Sequence, residues 1–296
     1  MNKESAAVEG NRVDIGVIGG SGLYEMEGLT DIEEVDLTTP FGEPSDTILI
    51  GTVAGTRVAF LPRHGRGHRI APAELPTRAN IYALKSLGCR WVIGVCACGS
   101  LQEAYAPGHV VIPSGLFDRT SGRPSTFFGE GIVSHISVAD PLCPVLADAL
   151  YEAASATGGT VHKGGDLIII NGPRFSTRTE SNIYRQWGLD IIGMTAIPEA
   201  FLAREAEMSY AVMAHVTDYD VWHESEEPVT VEMVVRIVRE NVAHAKEAIR
   251  NVVPLLAGKE SEAWDALKDT IMTAPERMPE ATRDRLALLI DRYYPR

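Results

Sequence analysis

The chain has 296 residues, 45% of them hydrophobic, and a mean hydropathy near zero, the profile of a globular protein built as one large α/β domain or two small ones. Its formal net charge of −13 argues against nucleic acid and anionic membrane as partners, and requires that any anionic substrate meet a locally basic site. No apolar run approaches the roughly 20 residues of a membrane span. Residues 1–12 are polar, lack the apolar core of an export signal, and read as a disordered tail. Cys89, Cys96, Cys98 and Cys143 show no zinc spacing. They read as buried free thiols in a reducing compartment, which places the chain in the cytoplasm.

In chain order, VDIGVI (residues 13–18) is a first buried strand, followed at once by Gly19-Gly20-Ser21-Gly22. Such a turn is either a plain tight turn or a cradle whose backbone N–H groups meet an anion. Its spacing fails the G-x-G-x-x-G dinucleotide fingerprint, which disfavours a nicotinamide dehydrogenase. Thr47–Val53 and Thr56–Leu61 form a hairpin through Ala54-Gly55. The second strand runs into PRHGRGHR (62–69), the densest positive cluster in an acidic protein. This cluster is either a solvated basic loop or a set of forked donors for phosphate oxygens. Residues 74–87 read as a helix. Arg90–Cys98 is the most apolar stretch and should be a central strand. It ends in ACGSL, whose small side chains let a ligand approach the backbone. His109–Pro113 is another strand, and 118–134 is a long Gly/Ser/Thr/Arg loop of active-site or interface character.

Cys143–Thr157 is a helix and Asp166–Asn171 a strand leading to GPRFS (172–176), where Phe175 either stacks on a planar ring or joins the core. Thr177 and Glu180 make a capping box for a helix over 178–187. Two buried strands, Asp190–Met194 and Tyr210–Val216, flank a helix over Ala196–Ala206 with Thr195 at its N-cap. Thr195 either caps that helix or joins an anion site at its N-terminus. Asp218 and Asp220 either shape a turn or supply an acid at a strand exit. Val231–Leu256 is a long amphipathic helix. After a linker at 257–262, Ala263–Met272 and Glu280–Tyr294 read as two terminal helices. Alternating strands and helices give an α/β fold with a largely central sheet. Ser21, Arg63-His64, Ala97 and Thr195 can face one small oxyanion, with Phe175, Met194, Asp218 and Asp220 around a flat, partly polar group.

Taken together, IGVIGGSGL, LPRHGRGH, ACGSL, NGPRFSTRTES, IIGMTAIPEA and HVTDYDVW resemble the 5′-methylthioadenosine phosphorylases of the trimeric purine nucleoside phosphorylase family, over about residues 13–256. The resemblance implies a single α/β domain with a central mixed sheet flanked by helices, and leaves 257–296 as a C-terminal helical extension packed on the same domain or on a neighbouring subunit. It implies trimers, sometimes paired into hexamers, and phosphorolysis of S-methyl-5′-thioadenosine to adenine and 5-methylthioribose 1-phosphate. Inorganic phosphate is then a co-substrate, and no metal or organic cofactor takes part. Position by position, Ser21, Arg63, His64, Cys96, Ala97 and Thr195 fall where the family binds phosphate. Met194 falls at the ribose, and Asp218 and Asp220 at the purine. Ser176 and Val231 line the pocket with Phe175 and Tyr219, and His135 reaches the neighbouring subunit's site near the 5′ substituent. Cys96 stands where relatives often carry Thr, and Ser21 replaces a common Thr while keeping the hydroxyl.

The residues also argue for the chemistry. Cleavage of an N-glycosidic bond builds positive charge on the ribose, which phosphate held by Arg63 stabilises. It builds negative charge on the base, which needs an acid. A protonated Asp218 complements adenine by donating to N7 and accepting from the 6-amino group, with Asp220 supporting that amine. A 6-oxopurine would favour Asn there, so two carboxylates favour an aminopurine. The alternative is phosphorolysis of other purine nucleosides: adenosine, inosine or methylthioinosine. A nucleosidase would need no phosphate clamp, and a non-catalytic purine-binding protein would keep Asp218 but tolerate loss of Arg63.

Overall fold

The computed structural model describes residues 13–20, 22–23, 28–223 and 231–295, without the side chains of 231–241. In chain order the strands are β1 (Ile15–Gly19), β2 (Thr30–Val35), β3 (Ile48–Val53), β4 (Thr56–Pro62), β5 (Trp91–Ser100), β6 (Val110–Ile112), β7 (Gly115–Arg119), β8 (Val161–Lys163), β9 (Asp166–Ile170), β10 (Ile191–Gly193) and β11 (Ser209–Asp218). The helices are α1 (Thr77–Ser86), α2 (Pro144–Ser155), α3 (Arg178–Gln186), α4 (Ala196–Glu205), α5 (Val231–Leu255) and α6 (Glu280–Ile290). The strands form one mixed sheet ordered β2-β3-β4-β1-β5-β10-β9-β7, with β11, β6 and β8 continuing from the other edge of β5.

β5 and β11 are the spine. They pair in parallel from Ser209↔Trp91 onward, and all ten residues of β11 are buried. Helices on both faces explain why both strands read as continuous apolar runs rather than alternating ones. α1 and α4 cover one face through Ile81, Leu84, Ala200 and Leu202, joined by Leu286 and Ile290 of α6. α2 and α5 cover the other through Leu146, Leu150, Ile249 and Val252. Each such side chain contributes about 1.5–3 kcal/mol on burial. The hairpin turns where expected, with left-handed φ of 48° at Ala54 and 82° at Gly55.

Four local expectations are corrected. Ala263–Met272 is not a helix but a 3-10 turn at Glu262–Asp265 followed by irregular chain. Tertiary bonds claim its backbone: Leu267 N–H donates to Glu207 at 3.1 Å, Met272 N–H to Val133 O at 2.8 Å, and Ile271 bridges Ser134. The helix expected over 74–87 is divided into a 3-10 turn at Pro72–Glu74 and α1, because Pro76 blocks a continuous ladder. The last helix stops at Ile290, not Tyr294. β2, exposed and acidic, carries no apolar periodicity, and β7 takes Asp118 and Arg119 from what reads as loop.

The extension beyond residue 256 is fastened to its own chain. Buried Glu207 accepts from Tyr293 Oη (2.5 Å) and Leu267 N–H (3.1 Å), and Arg292 lies 3.5 Å away. Glu207→Ala leaves buried donors unmet and is expected to cost about 2–3 kcal/mol, with new proteolytic cleavage after residue 256. Chemical denaturation and limited proteolysis check this.

Candidate active site

One edge of β5 changes partner along its length. β1 pairs with it in parallel from Ile15↔Trp91 to Ile18↔Gly94, and β10 pairs antiparallel at Ile192↔Gly99 and Ile191↔Ser100. The C-terminal ends of β1 and β10 therefore point at each other across residues 95–98, which lack a strand partner on that edge among the described residues. This is a topological switch point, the place where open α/β sheets bind ligands.

The first end of the crevice is basic in composition and nearly neutral in effect. Arg63 follows β4 and is fixed by its own N–H donating to Gly19 O at 2.9 Å. Its guanidinium, 3% exposed, forks onto Glu199 of α4 at 2.5 and 3.0 Å and also donates to Val95 O and Ile18 O. His64 Nδ1 meets Ile70 O at 2.8 Å, so Nδ1 carries the proton and Nε2 is left as an acceptor. Burial pushes the pKa of His64 down to about 4. Cys96 lies beside Arg63, and its thiol shares a hydrogen bond with the Thr195 side chain; burial pushes the thiol up to about 11, so it is neutral. Thr195 occupies the N-cap position of α4, but its side chain makes no capping bond, and non-helical Ile197 (φ −112°, ψ 130°) breaks the first turn. The Thr195 hydroxyl therefore meets the Cys96 thiol rather than serving the helix.

The second end holds two buried carboxyls. A bulge between Val216 and Asp218 brings Asp218 opposite Gly99. A Cβ at Gly99 would lie 3.0 Å from Asp218 Oδ1 and 3.0 Å from Ile192, so the position admits only glycine comfortably. Asp218 accepts from Thr217 Oγ1 at 2.6 Å and from Asp220 N–H at 2.8 Å. Burial, helped by the Asp220 charge and opposed by those hydrogen bonds, raises its pKa to about 6. Asp220 sits in left-handed backbone at φ 50° and is 7% exposed. Its pKa is also raised, by burial. Ser181 and Ser176 face it and pull its pKa the other way, yet neither hydroxyl nor Asp220 Oδ2 reaches a hydrogen-bond partner. A buried carboxylate oxygen without a donor is costly, by about 1–3 kcal/mol or more, unless a ligand supplies the donor.

Residues 14–254 match the phosphorylase superfamily. An S-methyl-5′-thioadenosine phosphorylase of Chloroflexus aurantiacus is 54% identical over 282 residues, covering 95% of this chain and 98% of the relative. One of Geobacter sulfurreducens is 52% identical, covering 94% and 98%. The chain belongs to the phosphorylase superfamily. Among solved structures, a methylthioadenosine phosphorylase sourced from an antarctic soil metagenomic library superposes with a TM-score of 0.91 at 48% identity, covering 95% of this chain and 99% of that one. The Schistosoma mansoni methylthioadenosine phosphorylase in complex with adenine gives 0.81 at 38% identity, covering 95% and 98%.

In this phosphorylase the residues expected at the site divide into groups. Arg63, His64, Cys96, Ala97 and Thr195 gather at the first end, and Ser176, Asp218 and Asp220 at the second. Met194 lies against Gly172 and packs on the cluster of Ile192 and Trp222. Phe175 is 38% exposed on the loop after β9. Tyr219 turns to Trp222 and His223, stacking on the latter with centroids 4.6 Å apart. His135 is exposed and bonded through its backbone to Thr270 O of its own chain. Ser21 lies outside the described residues, as does the side chain of Val231. Residues 1–12, read as a tail, also lie outside them.

Sequence reasoning missed Glu199, Tyr210 and Arg123. The only signal for Glu199 was a carboxylate set in the apolar AIPEAFLA. Arg123, on the long loop, donates to Met194 O (2.9 Å), Ile197 O (2.7 Å), Asn171 O (2.9 Å) and Ile170 O (3.4 Å). It thereby ties the exits of β9 and β10 together. Arg123→Met is expected to lower stability by about 1–3 kcal/mol and to cut kcat/KM at least about tenfold, as denaturation and steady-state kinetics of the purified variant will read.

Proposed function

We propose that the chain is an S-methyl-5′-thioadenosine phosphorylase, which transfers the 5-methylthioribosyl group from adenine to inorganic phosphate. The observation that carries this reading is the buried, partnerless Asp220 Oδ2 beside an Asp218 whose pKa is raised to about 6. One carboxyl is poised to donate, and the other waits for a donor. Adenine offers the complement, an acceptor at N7 and N–H donors at its 6-amino group. The relatives' names agree with this substrate.

In the proposed reaction the C1′–N9 bond breaks and its electron pair goes to the purine. A phosphate oxygen bonds to C1′. Asp218 gives its proton to N7 and is reloaded from solvent, while the phosphate ester releases one proton to solvent, so charge and protons balance. Arg63, His64, Thr195, the Cys96 and Ala97 backbone and Ser21 hold the phosphate. His64, neutral with Nε2 free to accept, suits a phosphate oxygen that bears a proton. Met194, Phe175, Ser176, Tyr219, Asp220, Val231 and a neighbouring subunit's His135 enclose the nucleoside. Inosine and the other 6-oxopurine nucleosides are the weaker alternative, because Asp220 Oδ2 would face an acceptor.

The proposal includes a cytoplasmic homotrimer, alone or paired into a hexamer, with phosphate as co-substrate and no cofactor. Support comes from Val133 and Met272, 47% and 68% exposed on either side of the backbone pairing next to His135. No helix among the described residues is long and apolar enough to cross a membrane. Sedimentation at assay concentration is expected to show a trimer or a multiple; a fully active monomer would refute the shared site.

Two kinetic outcomes are expected. Adenine release from methylthioadenosine requires phosphate, and Arg63→Ala raises the phosphate KM or lowers turnover at least about tenfold. Asp218→Ala lowers the rate about 10²–10⁴-fold, and Asp218→Asn costs methylthioadenosine more than inosine, since an amide donates to both N7 and O6. The acid form of Asp218 is present below its folded pKa and lost above it. At saturating phosphate, kcat/KM for the nucleoside should therefore fall as pH rises through about 6, and Asp218→Asn should lack that limb. Equal activity with and without phosphate would instead assign a nucleosidase.

A further inference from the structure

The guanidinium of Arg63 is occupied more fully than an anion ligand requires. Nε donates to Glu199 Oε1 at 2.5 Å, Nη2 to Glu199 Oε2 at 3.0 Å and Ile18 O at 3.1 Å, and Nη1 to Val95 O at 2.7 Å. One Nε, two Nη2 and one Nη1 hydrogen are thus committed, and of the five donors of an arginine one remains. Glu199 Oε2 in turn accepts from Tyr210 Oη at 2.7 Å. Arg63, Glu199 and Tyr210 are 3%, 1% and 2% exposed. Gly94 leaves the room for this arrangement: a Cβ there would lie 2.2 Å from Tyr210 Oη and 3.4 Å from Arg63 Nη2. The other titratable groups around the pair are neutral near pH 7, since burial pushes His64 down to about 4, Cys96 up to about 11 and Tyr210 well up. Arg123 feels the Glu199 charge from farther off, with its Nη hydrogens spent on backbone carbonyls.

We propose that Glu199, held in place by Tyr210, is the residue that sets how tightly the oxyanion end grips its ligand. It cancels the charge of Arg63, so phosphate is held mainly by neutral donors and one guanidinium N–H. The phosphorylated sugar formed there can then leave. Glu199 is a positioning and charge-setting residue that acts through Arg63. This inference rests on the phosphorylase reading above.

The test is Glu199→Gln. The amide keeps the shape and still accepts from Arg63 Nε, while its NH2 takes the place of Oε2, donates to a Tyr210 hydroxyl that turns to accept, and releases the Nη2 hydrogen that Oε2 held. With the compensating charge gone, the dissociation constant for inorganic phosphate, titrated calorimetrically without nucleoside, is expected to fall at least about tenfold. The rise in Tm on adding phosphate should grow accordingly, and kcat should fall while kcat/KM for phosphate rises. A brace with no electrostatic role would give weaker phosphate binding, and an unchanged or raised dissociation constant in folded Glu199→Gln overturns the proposal. If that variant does not fold, Tyr210→Phe decides. Its carboxylate loses one donor and bears harder on Arg63, so phosphate should bind a few-fold more weakly with the nucleoside KM unchanged. Unchanged phosphate binding there overturns the proposal too. Wild-type protein that binds no phosphate would instead sink the phosphorylase reading itself.

Discussion

The exchange of partners along β5 is the constraint on which the site depends. A strand bonded to one parallel neighbour throughout would have no open backbone in its middle. Here β1 leaves after Gly94 and β10 arrives, running the opposite way, at Gly99. Two strand ends thus converge on the same four residues, with Cys96 and Ala97 among them, Thr195 just past β10, and Arg63 and His64 brought in beside β1 by the end of β4. β11, paired along the whole of the opposite edge, keeps β5 straight while its partners change. The bulge near its end then moves Asp218 into line with Gly99, so the same strand that opens the first end also backs the second.

The two ends solve opposite electrostatic problems with the same tool, which is burial. At the Asp218 end, desolvation of two carboxyls favours a bound proton and leaves an acceptor without a donor. At the Arg63 end, a buried cation is matched at once by a buried anion, because an isolated charge there would be far more costly than a paired one. The result is a crevice with little net charge inside a strongly acidic protein. Its neutral donors and single available guanidinium N–H suit a ligand that must arrive, react and leave.

Much of this was legible in the sequence where the signal was local. β5 and β11 are long apolar runs because both faces are covered. Thr177 and Glu180 announced their capping box, and the structure has both of its hydrogen bonds. Asp218 and Asp220 stood out as polar residues directly after an apolar strand. Arg63 stood out as an arginine in a glycine-rich loop, but its partner is 136 residues away in sequence, and no local pattern carries such a pairing. Arg123 was hidden for the same reason, since its four acceptors are backbone carbonyls on two other segments. Residues 263–272 misled because their composition is helical while the acceptors and donors that fix them belong to Glu207 and the 133–135 segment.

The stitching of that C-terminal segment has a consequence for where this enzyme can be shortened. The superfamily match ends at residue 254, and a boundary drawn there would look natural. Yet Thr282 donates to Glu130 O, Arg285 pairs with the Glu130 carboxylate, and Thr273 Oγ1 accepts from Val133 N–H. Those contacts hold the far end of the loop whose near end places Arg123 against the exits of β9 and β10. The last forty or so residues act as a tether: they limit how far the loop that braces the crevice can drift. A minimal catalytic unit of this protein therefore runs past the end of the superfamily match, into the segment that the alignments covering 95% of the chain also take in.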